Sequence, residues 1–279
     1  MKKIITMMLV ALMTLTACLG LTACTKGDNV VDPRKDNTIV VGYTIYEPMN
    51  YVEDKVLVGF DTELAIMTFE SLGYNVQFKA ITWENKYLDL AEESIDCIWN
   101  GFTSNGEDKV NDVSTPRNQI VDFSYNYMQN AQCILRKAST AEVTDPAQFN
   151  GKSIAVERGS SGDSLASSYK SEDVNISISA LASQMDAVTK LNEGVVDYAI
   201  VDVLLAQAIL AQDAYSSLVI NEGIEIDVEY YAVGFAKGSE LTAKVNMAFE
   251  FFAQTGYLQK LATKYNLATS VITDFSAQK

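Results

Sequence analysis

Two junctions in the second half of the sequence place polar groups where a small charged molecule can be held. Asp202 follows an apolar run at 197–201 that is typical of a strand, and a helical pattern starts at Val203. Open α/β sheets bind ligands at the carboxyl ends of their strands, so an acid there can pair with a cation. The segment 159–161 (Gly-Ser-Ser) separates another strand pattern from a helical one, and amides at a helix N-terminus favour an anion. At both junctions the plainer alternative is capping of the helix that follows.

Other kinds of chemistry are excluded or weakened by composition. The chain has no histidine among 279 residues, which excludes histidine-based acid–base catalysis and histidine-containing metal sites. Cys97 and Cys133 each lie in an apolar run that indicates a buried strand. Export permits a disulfide between them, but geometry decides and the sequence does not supply it. We favour two buried free thiols over a bridge, and we expect no cofactor and no metal.

The first 23 residues indicate export. Two lysines precede an apolar stretch without acidic residues, 4–23, after which the chain turns polar, as in a secretory signal with a small-residue cleavage site. The tetrad Leu-Thr-Ala-Cys that ends at Cys24 resembles a bacterial lipobox, in which the thiol is lipidated and becomes the mature N-terminus. The same tetrad also ends at Cys18, but cleavage there leaves an apolar Leu-Gly-Leu start. We therefore favour Cys24, with an uncleaved membrane anchor as the alternative.

Charge and length narrow the partners. The formal charge is −15, and it becomes −17 when the two lysines of the signal are removed. Such an acidic surface disfavours nucleic acid and anionic lipid as partners, although it says little about a small ligand. After the signal, no stretch is long and apolar enough to span a bilayer. About 245 residues remain beyond a polar tether, enough for one large domain or two of roughly 110–130 residues.

Strand and helix patterns alternate along two similar stretches of the chain. The first has strands at 38–43, 76–80 and around Cys97, with helices at 61–72 and about 85–93. The second has strands at 152–157, 174–178 and 197–201, with helices at 161–170, 183–192 and 203–213. This alternation predicts two α/β units with parallel sheets covered by helices. Helical patterns at 239–255 and 256–265 belong to neither unit alone, which suggests that the chain returns to the first unit.

From residue 38 to about 267 the chain resembles the solute-binding proteins of polar amino acid ABC importers. The matching segments are, in order, 46–49 (YEPM), 59–64 (GFDTEL), 72–74 (LGY), Trp83, 96–103 (DCIWNGFT), Arg117 with 121–124 (VDFS), 151–152 (GK), 159–162 (GSSG), 194–197 (GVVD) and Asp202. Each segment is weak alone, but the colinear series over some 230 residues is specific.

The resemblance implies a type 2 periplasmic-binding fold. Two α/β lobes, each a mixed, mostly parallel sheet flanked by helices, are joined by strand crossovers near 130–136 and 229–236, and a hinge motion closes them over a ligand. The expected divisions are a signal peptide at 1–23, a tether at 24–37, lobe 1 at 38–132, lobe 2 at 133–231 and a return segment of lobe 1 at 232–279. The implied function is capture of a polar amino acid outside the cytoplasm and its delivery to an ABC importer permease. We expect a monomer that touches the membrane only through its lipid.

The resemblance also implies the residues that hold the ligand. They are Arg117, Thr103, Ser160 and Ser161 for the carboxylate, Asp202 and the Gly101 carbonyl for the ammonium, and Tyr46, Trp83, Tyr43 and Glu157 for the side chain. A guanidinium fork takes both carboxylate oxygens, and aromatic rings supply apolar contact and tolerate cations on their faces. The plainer alternatives are a surface arginine, a threonine satisfying the backbone, and aromatic residues that only pack.

Two departures from the family pattern leave questions open. Residues 104–116 exceed the few residues usual before Arg117, so they form a local bulge or displace the arginine, in which case Lys109 is the fallback. Relatives selective for basic amino acids often carry an acid near Tyr43, whereas here Glu157 adds an acid from the other lobe. We name no amino acid and lean towards a neutral or zwitterionic ligand such as glutamine or cystine.

Two other functions occur on this fold. A dehydratase-like enzyme needs an acid or base poised beside its substrate, and nothing in the sequence marks Glu157 or Asp202 as perturbed. A lyase needs a further catalytic domain, for which the chain is too short, so we expect no enzyme. The stronger alternative is a sensor that presents an amino acid to a membrane receptor, which fold resemblance alone does not separate from transport.

Overall fold

A computed structural model describes residues 37–279. The predictions for the signal, for Cys18 and Cys24, and for the tether up to residue 36 lie outside the described residues. The strands are β1 (Thr38–Tyr43), β2 (Tyr51–Glu53), β3 (Val56–Val58), β4 (Asn75–Ala80), β5 (Cys97–Ile98), β6 (Glu107–Val110), β7 (Val113–Pro116), β8 (Asp122–Phe123), β9 (Met128–Lys137), β10 (Ser153–Glu157), β11 (Ser177–Leu181), β12 (Tyr198–Asp202), β13 (Leu218–Asn221), β14 (Val228–Tyr231) and β15 (Gly234–Phe235). The α-helices are α1 (Phe60–Ser71), α2 (Lys86–Ala91), α3 (Arg117–Ile120), α4 (Ser161–Ser168), α5 (Gln184–Glu193), α6 (Val203–Leu210), α7 (Glu240–Gln254) and α8 (Tyr257–Lys264).

The two large sheets share one strand order. The first runs β4-β1-β5-β15-β8 and the second β11-β10-β12-β9-β13. In each sheet three parallel strands come from a β-α-β-α-β run, and one strand, β15 or β9, runs antiparallel to both of its neighbours. The predicted pair of similar, mixed α/β units is therefore confirmed. We call the first sheet, with the helices and loops that pack around it, lobe 1, and the second sheet with its helices and loops lobe 2.

The central strands are apolar because both of their faces are covered. In β1 the four residues from Ile39 to Gly42 are buried, and β1 lies between β4 and β5. All five residues of β12, which lies between β10 and β9 in the second sheet, are also buried. Parallel strands covered on both faces read as continuous apolar runs, which is why the sequence located these two strands to within a residue.

Two adjacent strands carry the chain between the lobes. The C-terminal half of β9 pairs with β12 and β13, while its N-terminal half pairs antiparallel with β14 from Met128–Tyr231 to Ala131–Val228. The chain then continues from β14 into β15, which lies in the first sheet. These strands lie where the resemblance put the crossovers. The expected boundary between lobe 1 and lobe 2, at residue 132, falls inside β9. The exact residues at which the lobes begin and end therefore stay predictions.

The segment 104–116 folds into a hairpin. Strands β6 and β7 pair from Glu107–Pro116 to Val110–Val113, and the turn residues Asn111 and Asp112 have φ values of 51° and 63°. Asn and Asp tolerate this left-handed conformation better than other non-glycine residues, so the sequence suits a two-residue hairpin turn. Helix α3 begins directly after β7, at Arg117.

Some details differ from the sequence predictions. The strand expected at 174–178 begins at Ser177, because Val174 and Ile176 are buried in the lobe 2 core before the chain joins β10. The hairpin β2–β3 and strand β13 were not predicted. Cys97 and Cys133 are free and buried, as expected. Within residues 37–279, none of the helices is long and apolar enough to cross a membrane.

Candidate ligand-binding site

Residues of both lobes line one buried cavity of ≈ 20 Å³, about the room that one water molecule needs. The lining consists of Tyr46, Trp83, Asn100, Gly101, Thr103, Arg117, Glu157, Ser160, Ser161, Gln184 and Asp202. Nine of the ten residues that the resemblance assigned are therefore brought together, although the colinear motifs that carry them span more than 150 positions. Asn100 and Gln184 were not expected.

Arg117 reaches the cavity despite the hairpin that precedes it. Its side chain is 1% exposed, and Nη1 donates to the Thr103 carbonyl (3.0 Å) and to Oγ of Ser161 (3.2 Å). Nη2 donates to Oδ1 of Asp108 (2.9 Å), whereas Nε is buried without a hydrogen-bond partner among the described residues. Burial opposes its charge, but Asp108 outweighs that effect and raises the pKa of Arg117. The insertion therefore leaves Arg117 in the site.

The fallback residue, Lys109, does not line this cavity. It is exposed on strand β6 and borders a separate groove of ≈ 760 Å³ between the hairpin and α4. Its side chain is therefore solvated and does not belong to the buried lining. Of these two candidates for binding the ligand carboxylate, Arg117 lines the cavity and Lys109 does not.

The N-terminus of α4 forms the wall from lobe 2. Ser160 is the N-cap residue, and its Oγ accepts from the backbone N–H of Asp163 (3.2 Å), so the capping alternative holds for this side chain. Ser160 is nevertheless part of the cavity lining, and Oγ of Ser161 accepts from Arg117. Capping and cavity lining therefore coexist at this junction, which leaves the helix N-terminus facing the guanidinium.

Asp202 does not cap helix α6, since its side chain makes no capping hydrogen bond. Instead Oδ1 accepts from the amides of Asn130 (2.9 Å) and Gln132, and Oδ2 accepts from Gln184 Nε2 (2.6 Å). Burial, followed by the charge of Glu229, raises the pKa of Asp202 to about 6. At neutral pH the buried carboxylate is mainly ionised and is held in place by three amides.

Sequence reasoning missed the network behind Asp202. Oε2 of Glu229 accepts from Oγ1 of Thr103 (3.1 Å), Nδ2 of Asn130 (3.2 Å) and Nε2 of Gln132 (2.9 Å). These residues belong to the crossover strands β9 and β14 and to the end of the segment after β5. One signal was present in the sequence. In β9 the polar residues Asn130 and Gln132 stand at alternate positions, on the same face of the strand as buried Met128. Amides on a buried face need partners, and here the partners are carboxylates.

Gly101 and Tyr46 form the floor of the cavity. Gly101 has φ +57° and donates its N–H to Oδ2 of Asp61 (2.7 Å), and a Cβ at this position would lie 2.6 Å from the Tyr46 ring. The hydroxyls of Tyr46 and Tyr231 are 2.7 Å apart. Glycine is required here because both the left-handed backbone and the close ring exclude a side chain.

Trp83 and Glu157 complete the lining from opposite lobes. Trp83 packs edge-on against Phe102, with 5.3 Å between the ring centroids. Glu157 ends strand β10 and is 4% exposed. Burial, followed by the charge of Asp202, raises the pKa of Glu157 to about 8. The carboxyl is therefore mostly protonated at neutral pH, a perturbation that nothing in the sequence indicates.

Tyr43 is the predicted site residue that the structure does not bring to the cavity. Its ring packs edge-on against Phe78 of the neighbouring strand, with 6.0 Å between centroids. Tyr43 is the last residue of β1 and only partly buried. Its absence from the lining leaves Glu157 as the acidic residue there that was assigned to the ligand side chain.

The lobes also touch beside the cavity. Nζ of Lys86 in lobe 1 donates to the carbonyl of Gly159 in lobe 2 (3.2 Å). Nε of Arg158 in lobe 2 lies 3.6 Å from Oε2 of Glu84 in lobe 1. Together with the bond between Arg117 and Ser161, the buried Lys86 contact joins the two lobes beside the cavity. The pair between Arg158 and Glu84 is exposed and contributes little to closure.

Comparison with known proteins identifies the family. The family model of bacterial extracellular solute-binding proteins, family 3, matches residues 39–268. The chain belongs to solute-binding family 3. Its two-lobed α/β architecture is the type 2 periplasmic-binding fold, as the resemblance implied.

Individual family 3 relatives are similar over nearly their whole length. The arginine-binding extracellular protein ArtP of Bacillus subtilis (strain 168) is 28% identical over 263 residues, which cover 91% of this chain and 96% of that protein. The L-cystine-binding protein TcyA of the same organism is 26% identical and covers 92% of this chain and 96% of its own. The solved structure of an ancestral arginine-binding protein bound to arginine has a TM-score of 0.73 at 26% identity and covers 82% of this chain and 98% of its own. These three proteins are named for binding, not catalysis.

Proposed function

We propose that this family 3 protein captures a polar amino acid in the interlobe cavity and delivers it to the permease of an ABC importer. The observation that carries the proposal is the pairing of opposite charges within one buried cavity, Arg117 from lobe 1 and Asp202 from lobe 2. A buried zwitterion requires such a pair, because an unpaired charge in a dry cleft is prohibitive. Family membership and the names of the relatives support the amino acid as the ligand class.

The ligand carboxylate is assigned to the wall formed by Arg117 and α4. The unpaired Nε–H of Arg117 is available as a donor, and Oγ of Ser161 already lies within hydrogen-bonding distance of Nη1. The N-terminus of α4 adds a partial positive charge. The Thr103 hydroxyl, now bonded to Glu229, is the further donor on this side.

The ligand ammonium is assigned to the opposite wall. Asp202 is ionised and fixed by the amides of Asn130, Gln132 and Gln184, so that its carboxylate needs little reorganisation to accept an ammonium. Gly101, whose carbonyl the resemblance assigns to the ammonium, borders the same cavity. Tyr46 and Trp83 are placed to contact the ligand side chain.

The side chain of the ligand is assigned to the vicinity of Glu157, and we propose that it is cationic. Tyr43 lies outside the cavity lining, so the residue type at that position does not determine selectivity here. Glu157 supplies a second buried acid beside Asp202, and a second positive charge on the ligand would favour its ionised form and pair with it. The relatives named for arginine support this revision of the neutral ligand that the sequence favoured.

A thermal-shift screen of the mature chain against the L-amino acids tests the proposal. A ligand at 100 times its Kd adds about 2.7 kcal/mol of stability, which raises the Tm of a domain of this size by roughly 5–10 °C. We expect L-arginine and L-lysine to give the largest shifts. If no amino acid shifts the Tm, the proposed ligand class is wrong. Loss of uptake on deletion of this chain alone would separate transport from sensing.

We also propose that the protein is anchored through a lipid on Cys24. The proposal rests on the apolar signal and on the tetrad that ends at this residue. Cys24→Ser should move the protein from the detergent phase to the aqueous phase in a phase-partition assay, whereas the matched variant Cys18→Ser should leave it in the detergent phase. The reverse pattern would assign the anchor to the earlier tetrad.

A further inference from the structure

The inserted hairpin β6–β7 delivers a carboxylate to two buried cations. Oδ1 of Asp108 lies 2.9 Å from Nη2 of Arg117, and Oδ2 lies 3.1 Å from Nζ of Lys86. The Tyr87 hydroxyl donates to the same Oδ2 (2.6 Å). The side chains of Arg117 and Lys86 are 1% and 3% exposed, while that of Asp108 is 11% exposed. Asp108 thus binds the cation that the ligand carboxylate would use.

Asp108 does not hold the guanidinium of Arg117 alone. Nη1 stays bonded to the Thr103 carbonyl, and the Phe102 ring lies 5.3 Å from Cζ. Gly106 approaches so closely that a Cβ there would lie 3.2 Å from Cζ. These contacts would keep Arg117 in position if the charge of Asp108 were removed.

The charges on this wall determine what it can accept. Arg117 and Lys86 supply two positive charges and Asp108 supplies one negative charge, so the wall has a net charge of +1. That balance suits one carboxylate. Burial lowers the pKa of Lys86 to about 8 and Asp108 raises it, so without the hairpin carboxylate Lys86 would be only partly charged. Nη2 of Arg117 would nevertheless be freed and the wall would be more positive, which would bind a ligand carboxylate more tightly and would oppose a second carboxylate less.

We propose that Asp108 is a specificity-determining residue that acts as an internal carboxylate. It competes with the ligand carboxylate for the buried cations, weakens the binding of every amino acid, and discriminates most strongly against acidic amino acids. This inference rests on the proposed binding of the ligand carboxylate at Arg117. It concerns a segment in which the chain departs from the family pattern.

The test compares the wild type with Asp108→Asn and with the matched control Glu107→Gln. Glu107 precedes Asp108 in β6, but it is exposed and accepts from Ser114 on the hairpin itself. The probes are L-arginine, L-histidine, L-glutamine and L-glutamate, each titrated by calorimetry, with L-argininamide as a ligand that lacks the carboxylate. We expect Asp108→Asn to bind the amino acids at least tenfold more tightly, with the largest gain for L-glutamate. L-Argininamide should gain no affinity, and Glu107→Gln should behave as the wild type.

Each outcome bears on the inference. If the wild type binds an amino acid and Asp108→Asn binds it equally or more weakly, the inference is wrong while the proposed function stands. If neither binds any probe, both are wrong. If only Asp108→Asn binds, the inference is supported and the wild type is not a carrier for these ligands. Asp108→Ser, which removes the same charge with a smaller side chain, should give the same direction if Asp108→Asn does not fold.

Discussion

Glu157 tests the proposed cationic ligand directly, because its carboxyl must lose a proton to pair with a cation. Burial is the largest cause of the raised pKa of Glu157, and the negative charges of Asp202 and Asp186 raise it further. The charge of Lys86 and a hydrogen bond from Gln184 lower it, which leaves a pKa of about 8. In the closed cavity at pH 7 the group is therefore mainly protonated. A guanidinium or ammonium beside it would favour the ionised form.

The magnitude follows from that pKa. At pH 7 about one tenth of Glu157 is ionised, so ionising it costs about 1.4 kcal/mol, and at pH 6 about 2.7 kcal/mol. The affinity for L-arginine should therefore rise about tenfold per pH unit from pH 6 towards pH 8 and then level off. L-Citrulline, which has nearly the same shape without the charge, should show no such rise. Below about pH 6 both ligands should weaken together, because Asp202 then becomes protonated and loses the ammonium.

Titration calorimetry at pH 6, 7, 8 and 9, in buffers of different ionisation enthalpy, measures both affinity and proton release. At pH 7 L-arginine should release nearly one proton and L-citrulline close to none. Glu157→Gln should abolish the release and weaken L-arginine at pH 8 at least tenfold, since a charged hydrogen bond contributes about 1.5–3 kcal/mol. Glu84→Gln, at the exposed pair with Arg158, is the matched control. Arginine binding without proton release, with the same pH profile as citrulline, would refute the reasoning.

The same substitution should change stability with the opposite sign. Because the pKa of Glu157 is raised in the folded state, this carboxyl does not destabilise the fold below its unfolded pKa of about 4.5. As the pH rises from there towards 8, the folded protein loses stability relative to the unfolded chain. At pH 7 the wild type thus carries a penalty of about 3 kcal/mol that Glu157→Gln removes. Urea unfolding should show the variant more stable at pH 8 and equal to the wild type near pH 4. Equal stability at both values would place the carboxyl in contact with water.

Further predictions concern the two charged walls. Arg117→Ala should weaken amino acids at least tenfold in calorimetry, about 1.4 kcal/mol or more, whereas Arg158→Ala, an exposed arginine at the rim, should leave affinity nearly unchanged. Unchanged affinity in Arg117→Ala would end the carboxylate assignment. Asp202→Asn should weaken amino acids far more than their deaminated analogues, and Asp197→Asn, at the other end of the same strand pattern, should affect neither selectively. Equal losses for both ligand classes in Asp202→Asn would indicate a structural role.

Much of the site was predictable because its residues stand at ends of regular elements. Asp202 ends the buried strand β12, and Ser160 caps α4, so each lies at a strand-to-helix junction that local patterns reveal. The colinear family motifs then supplied Arg117 and Thr103. Tyr43 was assigned by family position alone, and its ring instead packs on Phe78, because the alternation of side chains along β1 puts it on the same face as Ile39 and Val41.

The rest depends on contacts between distant segments. Asp108 pairs with Lys86 across 22 positions and with Arg117 across the hairpin turn, and neither spacing has a local signature. Likewise, Glu229 meets Asn130 only because β14 pairs antiparallel with β9. Perturbed carboxyls such as Glu157 arise from burial, which the sequence does not measure. Insertions and crossovers are thus where sequence reasoning was weakest.

These contacts also explain how binding and closure can be coupled. The carboxylate wall joins Arg117 of lobe 1 to Ser161 of lobe 2, and the ammonium wall joins Asp202 of lobe 2 to Thr103 of lobe 1 through the amides of β9 and through Glu229. A zwitterion that bridges both walls gains its full set of partners only when the lobes are closed. The difference between the affinities of the zwitterion for the open and for the closed form determines how far the ligand shifts the equilibrium towards the closed form. A molecule with only one of the two charges would leave one wall unpaired and would close the cleft less completely.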